Sequence, residues 1–166
     1  SLNVKALTKT GSAQLALGSA TAHAIEMVGL ANRPYPPANV KINGEYWPTE
    51  SETDLVLTWV DRNRLQQTGG IPVGWYEGGV SQEDGISYVL KISEYSKTNE
   101  LLNERSFDLG FTSSCTVAIS ELAEETKTVI LSLKTMRGVY ESWQYFNHAV
   151  VLERPISPPY DIEYTV

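Results

Sequence analysis

The chain has 166 residues, of which 42% are apolar, so it can form one domain of ordinary size around a hydrophobic core. Its formal net charge of −7 argues against a nucleic-acid partner, because phosphates require clustered lysine and arginine, and against a polybasic membrane surface. The sequence contains no run of ~18 apolar residues, so we expect no transmembrane helix and no membrane insertion.

Residues 1–32 predict two short strands, at 4–7 and 21–28, joined by a polar stretch rich in Gly, Ser and Ala. A lone two-stranded hairpin is only marginally stable in water. We therefore interpret 1–32 as a β-hairpin or as the closing strands of a preceding module.

A proline-rich linker follows at residues 33–38, which read RPYPPA. Proline fixes φ, lacks an N–H and restricts the residue before it, so this stretch is excluded from a helix interior or a central strand. It predicts a semi-rigid connector between two β units. A second proline-rich stretch, residues 154–166, is interpreted as an exit segment.

Residues 39–153 are dominated by a period-two alternation of apolar and polar side chains, which is typical of half-buried strands. Turn dipeptides such as Asn43-Gly44 and Asp84-Gly85 separate these runs. Such a pattern predicts an all-β, antiparallel sandwich or barrel. The predicted strands are 39–43, 54–61, 87–94, 103–109, 115–120, 128–135 and 144–152. The predicted core consists of Leu55, Leu57, Trp59, Leu90, Ile92, Val117, Leu131 and Leu133.

No catalytic motif is recognisable in the sequence, and we expect neither enzymatic activity, nor a cofactor, nor a metal site. Cys115 is the single cysteine and alternates along its strand with apolar residues, which predicts a small buried hydrophobe. A nucleophilic cysteine would need a histidine partner, and no motif ties Cys115 to His23 or His148. The clustered carboxylates predict a solvated acidic surface.

Two segments carry a family resemblance. Residues 54–59, DLVLTW, are similar to the second strand of a fibronectin type III domain, in which the tryptophan packs between the two sheets. The stretch RPYPPANV at 33–40, followed by Leu57-Thr58-Trp59, resembles the fibronectin-like module of large phage tail proteins of the tail-tip and baseplate-hub class, including those of gene transfer agents. The chain departs from the type III pattern in lacking a tyrosine early in the strand at 128–135.

The resemblance implies an immunoglobulin-like β-sandwich at 39–153 with an extra N-terminal β segment. It also implies a non-catalytic spacer or docking module that positions a phage or prophage tail tip at the host surface. The implied partners are other tail or baseplate proteins, neighbouring modules of the same chain, and a host-surface glycan. The implied location is the virion tail.

In a type III sandwich, the loops at 65–85 and 136–143 would share one pole, which would bring Trp75, Tyr76, Arg137, Tyr140 and Trp143 onto one surface. Tryptophan, tyrosine and arginine are enriched in binding hot spots, so this set is the predicted binding site. In the alternative interpretation, Trp75 folds back and caps the open end of the core. Trp47 is expected at the opposite pole, packing against its sequence neighbours.

A second functional hypothesis is a carbohydrate-binding accessory domain of a secreted bacterial enzyme. Exposed aromatic rings stack on sugar faces, and that role would account for Trp75, Tyr76 and Trp143. Screening against glycans separates this hypothesis from a pure spacer, which would bind none.

Overall fold

β-Strands make up almost all the regular structure of the computed structural model, which describes residues 2–26, 29–66, 74–77 and 80–153. The all-β prediction is confirmed. The chain divides into two units, Ser1–Asn32 and Arg33–Val166. The predicted exit segment at 154–166 lies outside the described residues. In the described part of the chain, no helix is long and apolar enough to span a membrane.

The first unit contains a two-stranded antiparallel sheet. Strand β1 (Leu2–Lys5) pairs with β2 (Ala22–Ile25), and Leu2 lies opposite Ile25. Side chains on both strands are mostly exposed, since neither face of this small sheet is covered within the unit. The first strand begins two residues earlier than the prediction of 4–7, and the second is shorter than 21–28.

In its described residues, the second unit contains nine strands, in chain order β3 (Ala38–Ile42), β4 (Glu50–Ser51), β5 (Leu55–Val60), β6 (Ile86–Tyr95), β7 (Leu101–Gly110), β8 (Ser114–Val117), β9 (Thr128–Arg137), β10 (Tyr140–Glu141) and β11 (Phe146–Leu152). They form two sheets. The small sheet has the order β3-β5-β8, and the large sheet has the order β4-β11-β9-β6-β7, with β10 also paired to β9. Strand β4 runs parallel to β11, whereas the other pairings are antiparallel.

Both sheets contribute to one hydrophobic core. Alternate residues of β5, β6 and β9 are buried, as the period-two pattern requires. The Trp59 ring from the small sheet meets the Tyr88 ring from the large sheet edge to face, with centroids 5.3 Å apart. The eight predicted core residues are all buried: Leu55, Leu57, Trp59, Leu90, Ile92, Val117, Leu131 and Leu133.

The strand predicted at 115–120 is shorter in the structure, where β8 ends at Val117. A 3-10 turn, Ile119–Glu121, replaces its second half. The backbone N–H of Ile119 donates to Asp54 Oδ1 (2.9 Å), and that of Leu122 donates to the Ile119 carbonyl (3.2 Å). These bonds turn the chain away from the small sheet and toward β9. The other predicted strands agree with the observed ones to within one to two residues at most ends.

Candidate functional site

Arg137 and Tyr140 lie opposite each other where β9 turns into β10. Gly138 allows this tight turn because its φ of 56° is in the left-handed region, which glycine tolerates. Val139 at the tip of the turn is 89% exposed. The structure thus brings together two of the five predicted site residues.

Trp143 lies beside this turn and is held by Arg33, the first residue of the proline-rich stretch. The Arg33 guanidinium lies 5.5 Å from the centroid of the Trp143 ring, within the range of a cation–π interaction. Arg33 Nη1 also donates to the Glu141 carbonyl (2.9 Å). The Trp143 side chain remains 60% exposed, so it is fixed in position yet available to a partner.

The proline-rich stretch packs against its own unit rather than standing free. Pro34 and Pro37 are buried, and the bonded residue Arg33 precedes them. Strand β3 then begins at Ala38. The stretch predicted as a connector is therefore also part of the surface around Trp143.

Tyr76 belongs to a different cluster. Its ring meets the Tyr46 ring edge to face at 5.2 Å, and its carbonyl accepts a 3.4 Å hydrogen bond from Asn39 Nδ2. The Tyr46 hydroxyl donates to Asn39 Oδ1 (2.6 Å), and Lys41 Nζ lies 4.8 Å from the centroid of the same Tyr46 ring. Tyr76 is consequently placed against strand β3 and the segment that follows it.

Trp75 is exposed and lies outside the buried core cluster. Within residues 29–66, 74–77 and 80–153, no ring contact joins Trp75 or Tyr76 to Trp143. Tyr76 and Trp143 are therefore held by different partners, Tyr46 and Arg33.

Arg137 faces a buried carboxylate at the base of the long loop. Glu83 is bound by the Arg64 guanidinium (Nη2 to Oε1, 2.6 Å), and Arg137 Nε lies 3.5 Å from the same oxygen. Arg62 donates to the carbonyls of Gly74 and Glu77, which fastens the described part of the loop to the end of β5. Because Arg137 forms an ion pair with Glu83, we assign it the role of holding the described part of the loop at 65–85 in place.

Opposing influences set the pKa of Glu83. Burial raises the pKa, whereas hydrogen bonds from the Arg64 side chain and backbone, with the attraction of Arg64 and Arg137, lower it. The net direction is a lowered pKa, so the carboxylate stays ionised. The ion pair is a structural fastening of the loop.

Trp47 makes long-range contacts, which corrects the expectation that it packs against sequence neighbours. Its ring stacks on Phe146 (centroids 5.0 Å apart, planes at 28°) and meets His148 edge to face at 5.4 Å. His148 Nε2 lies 2.7 Å from the Pro48 carbonyl oxygen. The segment around Trp47 therefore covers the inward-facing start of β11.

The sequence did not predict a groove of about 450 Å³ on the outward face of the large sheet. We call it the sheet groove. Val89 and Met136 contribute apolar surface to it. Its polar lining consists of Lys91, Ser106, Ser132, Lys134, Glu141 and Tyr145.

The polar side chains that alternate with the core residues along the predicted strands were the sequence signal for the sheet groove. Lys91 occupies an outward position between Leu90 and Ile92, which are buried. Neighbouring strands bring Ser106 and Ser132 directly opposite Lys91 on its two sides. Because this adjacency depends on strand order, the sequence pattern alone could not reveal the site.

A second cavity, of about 220 Å³, lies between β7 and β8 and includes Cys115 in its lining. The Cys115 side chain is half-buried and packs against the core. Burial raises the pKa of the thiol, which disfavours the reactive thiolate. Among the described residues, no group of three or more His, Cys, Asp or Glu side chains is placed to hold a metal ion.

Comparisons with known proteins give little further guidance. No protein-family model matches the sequence, and the curated proteins yield no significant match. Among solved structures, one chain described as "Myokine structure" is similar at 14% sequence identity and a TM-score of 0.40. The alignment covers 72% of this chain and 99% of that one. A similarity at this level supports no inference about fold or function.

Proposed function

We propose that residues 39–153 form a fibronectin type III-like module of a phage or prophage tail-tip protein. The sequence signature at 33–40 and Leu57-Thr58-Trp59 supports this proposal. The strand order is compatible with it: β3, β5 and β8 correspond to strands A, B and E, and β6, β7, β9 and β11 to C, C′, F and G. Burial of Trp59 between the sheets is a further supporting feature.

The module acts as a non-catalytic docking element that binds other tail or baseplate proteins and positions the tail tip at the host surface. The observation that carries this proposal is the placement of Trp143, largely exposed but held by Arg33. A preorganised aromatic side chain loses little conformational entropy on binding, which is the property of an interface anchor.

The genes that flank this one provide the first test. Neighbouring genes for tail and baseplate proteins are expected, and a purely metabolic neighbourhood would contradict the tail-tip setting. A catalytic domain encoded in the same gene, together with a secretion signal, would favour the accessory domain of a secreted enzyme.

Binding provides the second test. Each tail or baseplate protein encoded nearby is immobilised and the purified chain is titrated over it. We expect one of them to bind, and Trp143→Ala to weaken binding about tenfold. Val139→Ala is the matched control, because Val139 is exposed in the same segment but has no aromatic ring. Equal affinity of the two variants would contradict the role of Trp143.

A further inference from the structure

The sheet groove presents two rows of side chains at right angles to the strands. In one row, Lys91 lies between Ser106 and Ser132, and the Ser132 hydroxyl continues the row through a 2.7 Å hydrogen bond to Asn147 Oδ1. In the next row, Val89 of β6 lies opposite Lys134 of β9. Regular rows of hydroxyl, ammonium and amide groups offer many hydrogen-bonding partners over a flat, rigid base.

The charges of the sheet groove are balanced. Lys91 Nζ lies 2.9 Å from Glu104 Oε2, and Lys134 Nζ lies 2.7 Å from Glu141 Oε2. Each lysine is thus paired with a carboxylate, of which Glu141 belongs to the groove lining and Glu104 lies beside it, so the groove offers donors and acceptors side by side. An anionic ligand would meet carboxylates as well as ammonium groups, whereas a neutral polyhydroxylated ligand can use both.

The two strands at the centre of the groove, β6 and β9, have no free edge, whereas β7, which contributes Ser106, is the edge strand of the large sheet. Strand β6 is paired with β7 and β9, and β9 is paired with β6 and β11. An extended peptide therefore cannot add itself to these strands by main-chain hydrogen bonds. Recognition at the centre of the groove has to use side chains, which suits a ligand that presents hydroxyl groups on a compact ring.

Tyr145 completes this arrangement at one end of the groove. Its side chain is 57% exposed and belongs to the groove lining. The apolar face of a sugar ring packs well on such an aromatic surface, and each sugar hydroxyl can both donate and accept a hydrogen bond. The volume of about 450 Å³ is within the range of small-ligand sites.

We propose that the sheet groove binds a neutral oligosaccharide. One sugar ring packs on Tyr145, and the hydroxyl groups of the oligosaccharide bond to the two lysine–glutamate pairs and to Ser106 and Ser132. Glu141 and Tyr145 of this site flank Trp143 in sequence, but Trp143 itself does not belong to the groove lining. The inference does not depend on the tail-tip setting, because it rests on the side chains of one sheet face.

The test is a titration of the ¹⁵N-labelled chain with neutral oligosaccharides (maltohexaose, cellopentaose and chitotetraose) and with acidic trigalacturonate, followed by amide chemical shifts. At least one neutral oligosaccharide is expected to shift the amides of β6 and β9 beneath the groove at millimolar or lower concentration, and more strongly than trigalacturonate. Tyr145→Ala and Ser106→Val should each raise its dissociation constant, the former about tenfold.

Tyr76→Ala is the matched control for Tyr145→Ala, since Tyr76 is an exposed tyrosine outside the groove, and it should leave the affinity unchanged. Ser106 lies exposed on the edge strand β7, so Ser106→Val tests the site without disturbing the core. Three results would overturn the proposal: no shift with any neutral oligosaccharide, preference for trigalacturonate, or shifts that leave the amides of β6 and β9 unchanged.

Discussion

Glu94 and Ala123 are joined by a 2.7 Å hydrogen bond in which the backbone N–H of Ala123 donates to Glu94 Oε2. Glu94 is fully buried near the end of β6, and its other donors are Asn103 Nδ2 (3.1 Å), Arg105 Nη2 (3.0 Å) and the Thr126 hydroxyl (3.1 Å). The carboxylate thus ties β7 and the connection between β8 and β9 to the same point. It fastens the connection that precedes β9.

Glu94→Gln should therefore destabilise the second unit by about 2 kcal/mol, because an NH₂ group would face donors that now bind a charged acceptor. The measurement is urea unfolding followed by tryptophan fluorescence. Glu52→Gln, at an exposed position, is the control and should change the free energy of unfolding by less than about 0.5 kcal/mol. Similar effects of the two substitutions would show that Glu94 does not anchor this connection.

The Glu83 ion pair predicts a specific loss of stability in acid. Its pKa in the folded chain lies below the ordinary value of 4.5, so the unfolded chain takes up a proton first as the pH falls. The stabilisation is complete above pH 4.5 and should be lost as the pH falls through the folded pKa. Urea unfolding between neutral pH and about pH 3 should show this decline, and it should be shallower in Glu83→Gln.

Arg64 and Arg137 should contribute unequally to that ion pair. At neutral pH, Arg64→Met should cost about 3 kcal/mol, because it leaves a buried carboxylate without its closest partner. Arg137→Met should cost less than about 1 kcal/mol, since Arg137 is more distant and more exposed. The reverse order would contradict the assignment of Arg64 as the main partner.

Tyr88 should remain protonated in the folded chain at alkaline pH. Burial, followed by the 2.6 Å hydrogen bond to Asp61 and the charge of Asp61, raises the pKa of Tyr88 far above its ordinary value of 10.0. The stability it contributes is full below pH 10.0 and is lost as the pH rises, because the unfolded chain then releases this proton first.

Spectrophotometric titration of tyrosinate checks this expectation. The native titration curves of the parent chain and of Tyr88→Phe should coincide up to about pH 11. In denaturing urea, the variant should lose the amplitude of one tyrosine. A difference between the two native curves would mean that Tyr88 ionises in the folded state.

Trp47 should stabilise the fold through its ring despite being half exposed. Trp47→Ala is expected to cost about 2 kcal/mol, because it removes the stacking on Phe146 and the contact with His148. Trp47 has a φ of 57°, so Trp47→Gly should be less harmful than Trp47→Ala by about 0.5 kcal/mol. Thermal or urea unfolding of the parent chain and the two variants measures which substitution lowers the free energy of unfolding more.

Trp143→Ala is the control for Trp47→Ala. Trp143 is more exposed and interacts mainly with Arg33, so its loss should cost less than about 1 kcal/mol. Equal losses for the two tryptophans would contradict the packing role of Trp47.

Strand content was predictable because alternation is a local property. Leu55, Leu57 and Trp59 face the core simply because every second side chain of a strand points the same way. The strand predicted at 115–120 was too long because Asp54, distant in sequence, caps the turn at Ile119. A period-two pattern contains no information about a hydrogen bond between residues so far apart in sequence.

The predicted site was recognised by residue type, and the structure decided what each residue contacts. Arg137 was selected as an anchor for a partner, yet it faces Glu83. Tyr76 lies against Tyr46, and Trp143 against Arg33. The sheet groove went unpredicted because Lys91, Ser106 and Ser132 become neighbours only through strand order.

The amino-acid sequence by itself determined the all-β character, the inward-facing residues and the rigid proline-rich stretch, because alternation and proline geometry act over a few residues. The tertiary structure decided which distant groups meet. Three contacts join residues that lie far apart along the chain: Arg64 with Glu83, Trp47 with Phe146, and the residues within each row of the sheet groove. Their contacts follow from strand order and register, which depend on packing the whole core at once.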